Sequence, residues 1–469
     1  MDIPGLLIRC AVCCLAVAAA DIAKDRLTYD GAQLWRIDLQ AGDKNDYIDY
    51  LQKRGDLSLW TGNDTSMDVL VLPDVIPRVS RFLHKQNINY DVVIGDLQQA
   101  IDHENPVQSE EFFEQLEGRN ARYAWWKTTL QVTGMRKKYT YCSYCPPRYP
   151  VANSLDAGGG GGDRPWQWKG HRMEWTSYHR LEDIHGYLDY LANTYPHICS
   201  VMTIGKSVEG RPLKVLRISK GIENATAIWI DGGIHAREWI SPAAVTYVID
   251  YLVEHSEQLE VDYYILPVVN PDGYEYTFRG DRLWRKNRAR TEKGSSCIGV
   301  DLNRNFGYRW GGLGTSKQPC RETYAGTGPF SEPETNAIRN FFDISAANFK
   351  AYLSFHSYGQ FILYCWGYDR VVPPDYKDLD NVGRSMAAAM RAAGSNTEYT
   401  VGNSATTLYP AAGGSDDWAK GLANIKYAYT IELRDKGKYG FILPAMYIKP
   451  TALEALAAVQ VVSRAVLAN

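Results

Sequence analysis

The sequence predicts an α/β protein, a central mixed, mainly parallel sheet covered by helices, with a small α+β domain in front of it. Three observations point there. From about residue 176 onward, short apolar runs rich in Val, Ile and Tyr alternate with longer amphipathic stretches, the rhythm of strands and helices assembled into one sheet. The first hundred residues carry shorter strand-like and helix-like pieces of their own. A chain of 469 residues with 45% hydrophobic content has the length and apolar mass for one large packed domain and a smaller one.

Residues 1–20 read as a secretory signal. Arg9 precedes CAVCCLAVAAA, an apolar run too short to span a bilayer, which ends on the small residues Ala18, Ala19 and Ala20 before Asp21. Cleavage removes Cys10, Cys13 and Cys14. The six cysteines that remain, Cys142, Cys145, Cys199, Cys297, Cys320 and Cys365, are an even set compatible with an oxidising, extracellular compartment.

Residues 21–103 form the small module. QLWRIDL and SMDVLVL alternate like strands, DYIDYLQKR and VIPRVSRFLHKQN have helical spacing, and INYDVVIGDL returns to an extended pattern. No catalytic cluster lies in it. Asn63-Asp64-Thr65, and later Asn224-Ala225-Thr226, are glycosylation acceptors that matter on an exposed secreted surface.

Residues 104–175 are an irregular connector that mixes acidic SEEFFEQLE, basic MRKKY, the CSYCPP turn and glycines 158–162. With no strand before the glycines and no Gly-Lys-Ser/Thr after them, they read as a flexible linker rather than a phosphate loop. Cys142 and Cys145 fit a local disulfide or two idle thiols better than a zinc ribbon, which needs a second C-x-x-C pair. Arg164 and Arg172 offer cutting points to a trypsin-like protease.

The remaining residues, 176–469, carry the large domain. YHRLEDIHGYLDYLANTYP is an amphipathic helix stopped near Pro196, KVLRIS and AIWIDG are strands, and residues 241–253 supply the next helix. VDYYILPVVN leads into a Pro-Asp-Gly turn, Ser331 and Glu334 make a capping box before NAIRNFF, and AYLSFHSYG is a strand. KYAYTIELRD is another, after which Thr451 and Glu454 cap the helix ALEALAAVQVVSRAVLA. No stretch beyond the signal has the sustained apolar length of a membrane span, and a formal charge of −3 argues against nucleic acid or an anionic membrane as partner.

Metal chemistry is suggested by the spacing H-x-x-E, which occurs at His171/Glu174, His179/Glu182 and His235/Glu238. The spacing alone does not choose among them. His171 lies in a Trp, Gly and Lys stretch without apolar period, and His179 begins an ordinary helix stripe. His235 instead follows a buried-strand pattern ending in Gly232 and Gly233, the edge where α/β folds place ligands. An imidazole and a carboxylate there can converge on one Zn²⁺ if a distant side chain completes the set and one position stays open. His356, directly after the apolar AYLSF, is the best third ligand; its plainer role is a satisfied core histidine. Glu432 lies in an apolar strand and either pairs with an arginine such as Arg434 or, beside a zinc, deprotonates water.

The segments HARE at 235–238, NPDGYEYT, RLWRKNR at 282–288, DLNRNF at 301–306, LSFHSY, LYPAAGGSDDW and IELRD, in that order, resemble the zinc metallocarboxypeptidases of the pancreatic A/B type. The front module, with its QLWRI strand, resembles their activation segment, while the connector is far longer than the family's usual link. The resemblance implies a secreted zymogen whose activation domain is released by a trypsin-like protease, with one zinc held by His235, Glu238 and His356. It assigns Glu432 as general base and Arg285 as the group that polarises the scissile carbonyl. Asn303 and Arg304 are expected to bind the terminal carboxylate of peptides and proteins, with Arg237 as an additional contact and Tyr409 closing over it. Cys297 and Cys320 match the family's disulfide. A monomer is expected.

Asp416, in GGSDDW, stands where B-type enzymes resemble this chain and A-type enzymes place an apolar residue, so release of terminal Lys or Arg is expected. Other readings are an A-type enzyme releasing apolar or aromatic residues, a peptide-binding relative without turnover, a deacylase on the same scaffold, and a structural glycoprotein. The metal, base and oxyanion positions speak against loss of turnover, and Asn303, Arg304 and Tyr409 against other acyl substrates.

Overall fold

The computed structural model describes residues 26–39, 50–51, 54, 57–62, 65–105, 173–291, 296–394 and 397–468. The expected signal at 1–20, His171, Asn63 and the helix DYIDYLQKR apart from Tyr50, Leu51 and Arg54 lie outside the described residues. So does the body of the connector, with Cys142, Cys145, glycines 158–162, Arg164 and Arg172.

The front module is a four-stranded antiparallel sheet in the order β2-β3-β1-β4, made of β1 (Gln33–Asp38), β2 (Ser58–Gly62), β3 (Ser66–Val71) and β4 (Tyr90–Ile94). Helices α1 (Ile76–Lys85) and α2 (Leu97–Glu104) accompany it. Alternation along β1 divides its apolar residues between two clusters. Trp35 and Ile37 join Val69, Val71 and the Val79 and Leu83 stripe of α1, while Leu34 joins Leu70, Ile94 and the Leu97 and Ile101 stripe of α2. The second cluster continues into the large domain through Leu283, Tyr358, Phe441 and Ile442.

The large domain runs α3 (Leu181–Thr194), β5 (Cys199–Lys206), β6 (Pro212–Ile218), β7 (Thr226–Gly232), α4 (Ile240–Glu254), β8 (Asp262–Leu266), α5 (Pro271–Arg279) and α6 (Pro333–Ile344). It continues with β9 (Asn348–Ser357), β10 (Phe361–Tyr364), α7 (Tyr376–Ala393), β11 (Thr400–Asn403), α8 (Ser404–Thr407), α9 (Ser415–Gly421), β12 (Tyr427–Leu433) and α10 (Ile448–Leu467). The eight strands form one mixed sheet, β11-β10-β12-β9-β7-β8-β6-β5, whose centre, β12-β9-β7-β8, is parallel. Helices α3, α4, α7 and α10 cover one face and α6 and α9 the other, so the central strands are apolar along almost their whole length.

Three local expectations are corrected. Pro-Asp-Gly opens α5 rather than a free turn: the Asn270 side chain accepts the Gly273 amide at 2.9 Å, with Pro271 at the first helical position. Ser331 and Glu334 form no capping box. Pro333 starts α6 with Glu332 as its cap residue, and Glu334 instead accepts the Val208 amide and the Asn287 side chain. Nor do Thr451 and Glu454 cap α10, which begins three residues earlier; the Thr451 hydroxyl donates to the Tyr447 carbonyl, and Glu454 binds Arg434 and the Tyr399 hydroxyl.

The expectation about apolar length is also revised. The segment Ala445–Leu467 is long and apolar enough to cross a membrane, but most of its apolar residues are buried in the core of this domain and Glu454 is ion-paired in its middle.

Candidate metal centre and active site

Strand order brings the distant residues together. β7, β9 and β12 are parallel neighbours, and the register sets Glu432 opposite His356 and Gly232 opposite Phe355 at their carboxyl-terminal ends. His235 and Glu238 follow from the turn between β7 and α4. Gly232 and Gly233 make that turn possible: a Cβ on Gly232 would lie 2.7 Å from Ser241 Oγ, and Gly233 has φ of +63° with Pro242 2.9 Å from where its Cβ would be. The Ser241 hydroxyl donates to the Phe355 carbonyl at 2.6 Å and accepts the Gly233 amide at 3.0 Å, tying the turn to the residue before His356.

Hydrogen bonding orients both imidazoles. His235 Nε2 lies 3.2 Å from Asp301 Oδ1, and a carboxylate there requires the ring proton on Nε2. Ser354 donates its own proton to Asp231 Oδ1 at 2.6 Å, so its oxygen accepts from His356 Nε2 at 3.2 Å. Both Nδ1 lone pairs are thereby turned inward. His235 Nδ1 stands 2.7 Å from Glu238 Oε1, His356 Nδ1 3.1 Å from Glu238 Oε2, and the two Nδ1 atoms 3.2 Å apart. Lone pairs facing lone pairs and a carboxylate repel unless a proton or a metal cation lies among them. Two imidazole nitrogens and one carboxylate oxygen within 4.8 Å of one another fit a catalytic zinc, which takes three protein ligands and leaves a fourth position open.

The electrostatics agree for His235 and Glu238 and run the other way for His356, which takes up a proton where no metal cation offsets the carboxylates around it. Burial, with help from Arg285, lowers the His235 pKa, which favours the neutral ring that binds metal. For Glu238, burial acts upward, but His235 and His356 outweigh it and hold the carboxylate well below the usual range. Burial also opposes a charged His356, yet Glu238, Glu432 and Asp231 push it up to about 9. Burial pushes Glu432 up to about 8 with only the protein's own charges around it, and a dication held by the triad would draw it back down.

Glu432 makes no hydrogen bond or ion pair among the described residues. Its alternative partner Arg434 is engaged by Glu454 and by Thr397 Oγ1 at 2.6 Å. One cavity is lined by His235, Glu238, Glu432, Arg285, Asn303, Arg304, Tyr409 and Asp416. Arg285 is held by Asp301 Oδ2 at 2.8 Å, so a single carboxylate fixes both an imidazole and this guanidinium. Arg304 bonds the Gly314 and Asn303 carbonyls, and Asn303 Oδ1 accepts the Ser415 amide at 2.9 Å. Arg237 is set apart. It is buried beneath the Phe441 ring, 3.5 Å from Glu322, in an adjoining cleft shared with Arg285, Arg304 and Tyr409.

Cys297 and Cys320 are disulfide-bonded around the segment carrying Asn303 and Arg304, whereas Cys199 and Cys365 are free and buried. Cys365, Asp416 and Asp417 also approach within 4.8 Å of one another. Both Asp417 oxygens there already accept amides, of Gly367 and Tyr368 at 2.8 Å each, and burial holds the Cys365 thiol well above its ordinary range.

Sequence reasoning assigned no role to Asp301, Ser354 or Trp60. Asp301 sits between apolar Val300 and Leu302, the same signal that drew attention to Glu432. Trp60 and Thr61 of the front module line the cavity itself, and Trp60 meets Phe441 and Tyr358 at ring separations of 4.9 and 6.4 Å.

A buried triad of this kind, with a free carboxylate and arginines around one cleft, fits a metal-dependent hydrolase. Residues 184–458 match the family described as zinc carboxypeptidase, and residues 35–104 match the carboxypeptidase activation peptide. The chain belongs to the zinc carboxypeptidase family and carries that family's activation peptide. It is 48% identical over 296 residues to carboxypeptidase B of Astacus astacus, covering 62% of this chain and 97% of that one. Carboxypeptidase A4 of Mus musculus is 37% identical over 438 residues, covering 90% of this chain and 91% of that one. Among solved structures, thrombin activatable fibrinolysis inhibitor superposes with a TM-score of 0.74 at 31% identity, covering 94% of this chain and all of that one.

Chelation is expected to remove one zinc per chain and to lower Tm by roughly 6 °C, the loss of about 4 kcal/mol expected when free metal exceeds Kd a thousandfold. Stoichiometric zinc should restore Tm. Elemental analysis with calorimetry tests this, and a chain that binds no zinc at any Tm would dissolve the triad.

Proposed function

We propose that the chain is a secreted B-type exopeptidase that hydrolyses the last peptide bond of peptides and proteins ending in Lys or Arg, and that it is made as a zymogen. The observation that carries this reading is Asp416, a buried carboxylate on the wall of the cavity that His235, Glu238 and Glu432 also line. Burial raises its pKa above the ordinary range, so a cationic side chain entering the pocket compensates a charge that an aromatic one leaves exposed to that cost. The 48% identical relative named carboxypeptidase B supports the same reading.

In this proposal His235, Glu238 and His356 hold zinc, which when bound supplies a Lewis acid and makes water a competent nucleophile near neutral pH. Glu432 takes the proton from the attacking water and passes it to the leaving amine. Arg285, locked by Asp301, stabilises the negative charge that develops on the carbonyl oxygen. Arg304 and Asn303 grip the terminal carboxylate, Arg237 offers a further contact on its approach, and Tyr409, 38% exposed at the rim, closes over it. The activation peptide occludes this cleft with Trp60 and Thr61, and a trypsin-like protease cutting in the connector releases it. The disulfide and the activation peptide support an extracellular site of action. We expect a monomer without nucleic-acid or membrane partners.

Trypsin treatment of the full-length chain should raise activity, with a new amino terminus inside the connector. On substrates differing only in the last residue, the product should favour Arg over Phe in kcat/KM by about 10²-fold or more. A preference for Phe would defeat the assignment of Asp416.

A further inference from the structure

Beside Asp416, the cavity wall carries Ser404, the first residue of α8. Its Oγ is buried and has no hydrogen-bond partner among the described residues, an uncommon state for a hydroxyl with one proton to donate and two lone pairs to fill. Next to it stands Gly367. A Cβ built there would lie 3.6 Å from Ser404 Cβ, 3.5 Å from the Ala411 carbonyl oxygen and 3.7 Å from Asp417 Oδ2. The glycine therefore leaves room for a methyl-sized group bounded by Ser404 Cβ and two oxygen atoms. The Ala411 amide donates to the Gly367 carbonyl at 2.7 Å, and Asp417 spends both oxygens on the amides of Gly367 and Tyr368, so this wall is fixed before any ligand arrives. Asp416 is left as the carboxylate on this side of the cavity, and Ser404 is one of two buried, uncommitted hydroxyls among the described residues lining it, the other being Ser357, next to His356 in the chain.

We infer that Ser404 is a specificity residue that makes the pocket a guanidinium receptor, selecting terminal Arg over terminal Lys; this rests on the B-type reading above. A guanidinium presents five donors in one plane. A carboxylate satisfies two of them as a fork, and the others need acceptors disposed to the side, which the Ser404 lone pairs and the Ala411 carbonyl supply. An ammonium is a compact three-donor charge. It is satisfied by Asp416 and water, and it leaves the Ser404 hydroxyl without a partner.

The test measures kcat/KM of the trypsin-treated full-length protein and of its Ser404→Ala variant on three peptides that differ only in a terminal Arg, Lys or Phe. The expected wild-type preference is Arg over Lys by about 10-fold. In Ser404→Ala the Arg value should fall about 5- to 10-fold, with the Lys value within about 2-fold of wild type, as for loss of one hydrogen bond to a charged group. Because the hydroxyl has no protein partner, Tm should not fall. A wild-type ratio of one or below, an unchanged ratio in the variant, or a parallel fall for Arg and Lys would each overturn the role of Ser404 while leaving B-type specificity standing. A wild-type preference for Phe would overturn both.

Discussion

Glu432→Gln is expected to lower kcat for an Arg-ended peptide by about 10²–10⁴-fold, the range a positioned general base contributes. KM, zinc content and Tm should change little. The geometry separates chemistry from stability unusually well at this residue. Arg434, the neighbouring cation that would have made Glu432 a structural ion pair, is already bound by Glu454 in α10. Glu432 keeps a carboxylate facing the cavity, beside His356 in the register of two parallel strands, and Gln preserves its shape without its basicity. If it were merely a buried acid, the amide would cost nothing or would stabilise the protein, since burial already pushes its carboxyl up to about 8. Steady-state kinetics with metal analysis decide the matter. A variant with full zinc and wild-type kcat would remove Glu432 from the chemistry.

What could be read from sequence followed how local the determining interactions are. His235 and Glu238 are three residues apart on one turn, and the glycine pair that shapes the turn immediately precedes them, so motif and cause are visible together. His356 and Glu432 were visible as polar residues in apolar strands. Their meeting depends on β9 lying between β7 and β12, a long-range pairing that no window of sequence contains. The two misread capping boxes fail for the same reason in reverse. The spacing of Ser331 to Glu334 and of Thr451 to Glu454 is right, but each glutamate has a stronger distant partner, an amide and an Asn side chain in one case and Arg434 in the other. Asp301 belongs to this group too, since its value lies in holding His235 and Arg285 at once. The docking of the front module left no periodic signature, because Trp60 and Leu34 look like ordinary core residues of a small domain.

That docking leads to the second large expected effect. Glu104, the last residue of α2, forms a fully buried ion pair with Arg282, 2.7 Å from Nε to Oε2 and 2.5 Å on the second arm, with the side chains of both about 1% exposed. The guanidinium also donates to the Arg237 and Phe441 carbonyls at 2.9 Å each and lies 3.7 Å from the Trp239 ring centroid, so it is held in place from the catalytic side. Burial pushes the Glu104 carboxyl above its ordinary range and Arg282 pulls it back, which implies that the intact pair adds little net affinity. Truncating one partner is different, because the other stays buried and uncompensated. Glu104→Ala is therefore expected to weaken docking of the activation peptide by about 3–5 kcal/mol, a shift of roughly 10²–10⁴-fold in the docked-to-open equilibrium. The readouts are faster amide exchange in β1 and β3, measurable hydrolysis before any proteolysis, and a shorter lag on trypsin treatment. The released enzyme should be identical to wild type in kcat/KM, since Glu104 leaves with the peptide. Replacing Glu104 and Arg282 together with Met should recover much of the protection, because the cost comes from the stranded guanidinium rather than from a missing attraction. Wild-type exchange and latency in Glu104→Ala would show that the aromatic contacts of Trp60 with Phe441 and Tyr358 hold the peptide without this pair.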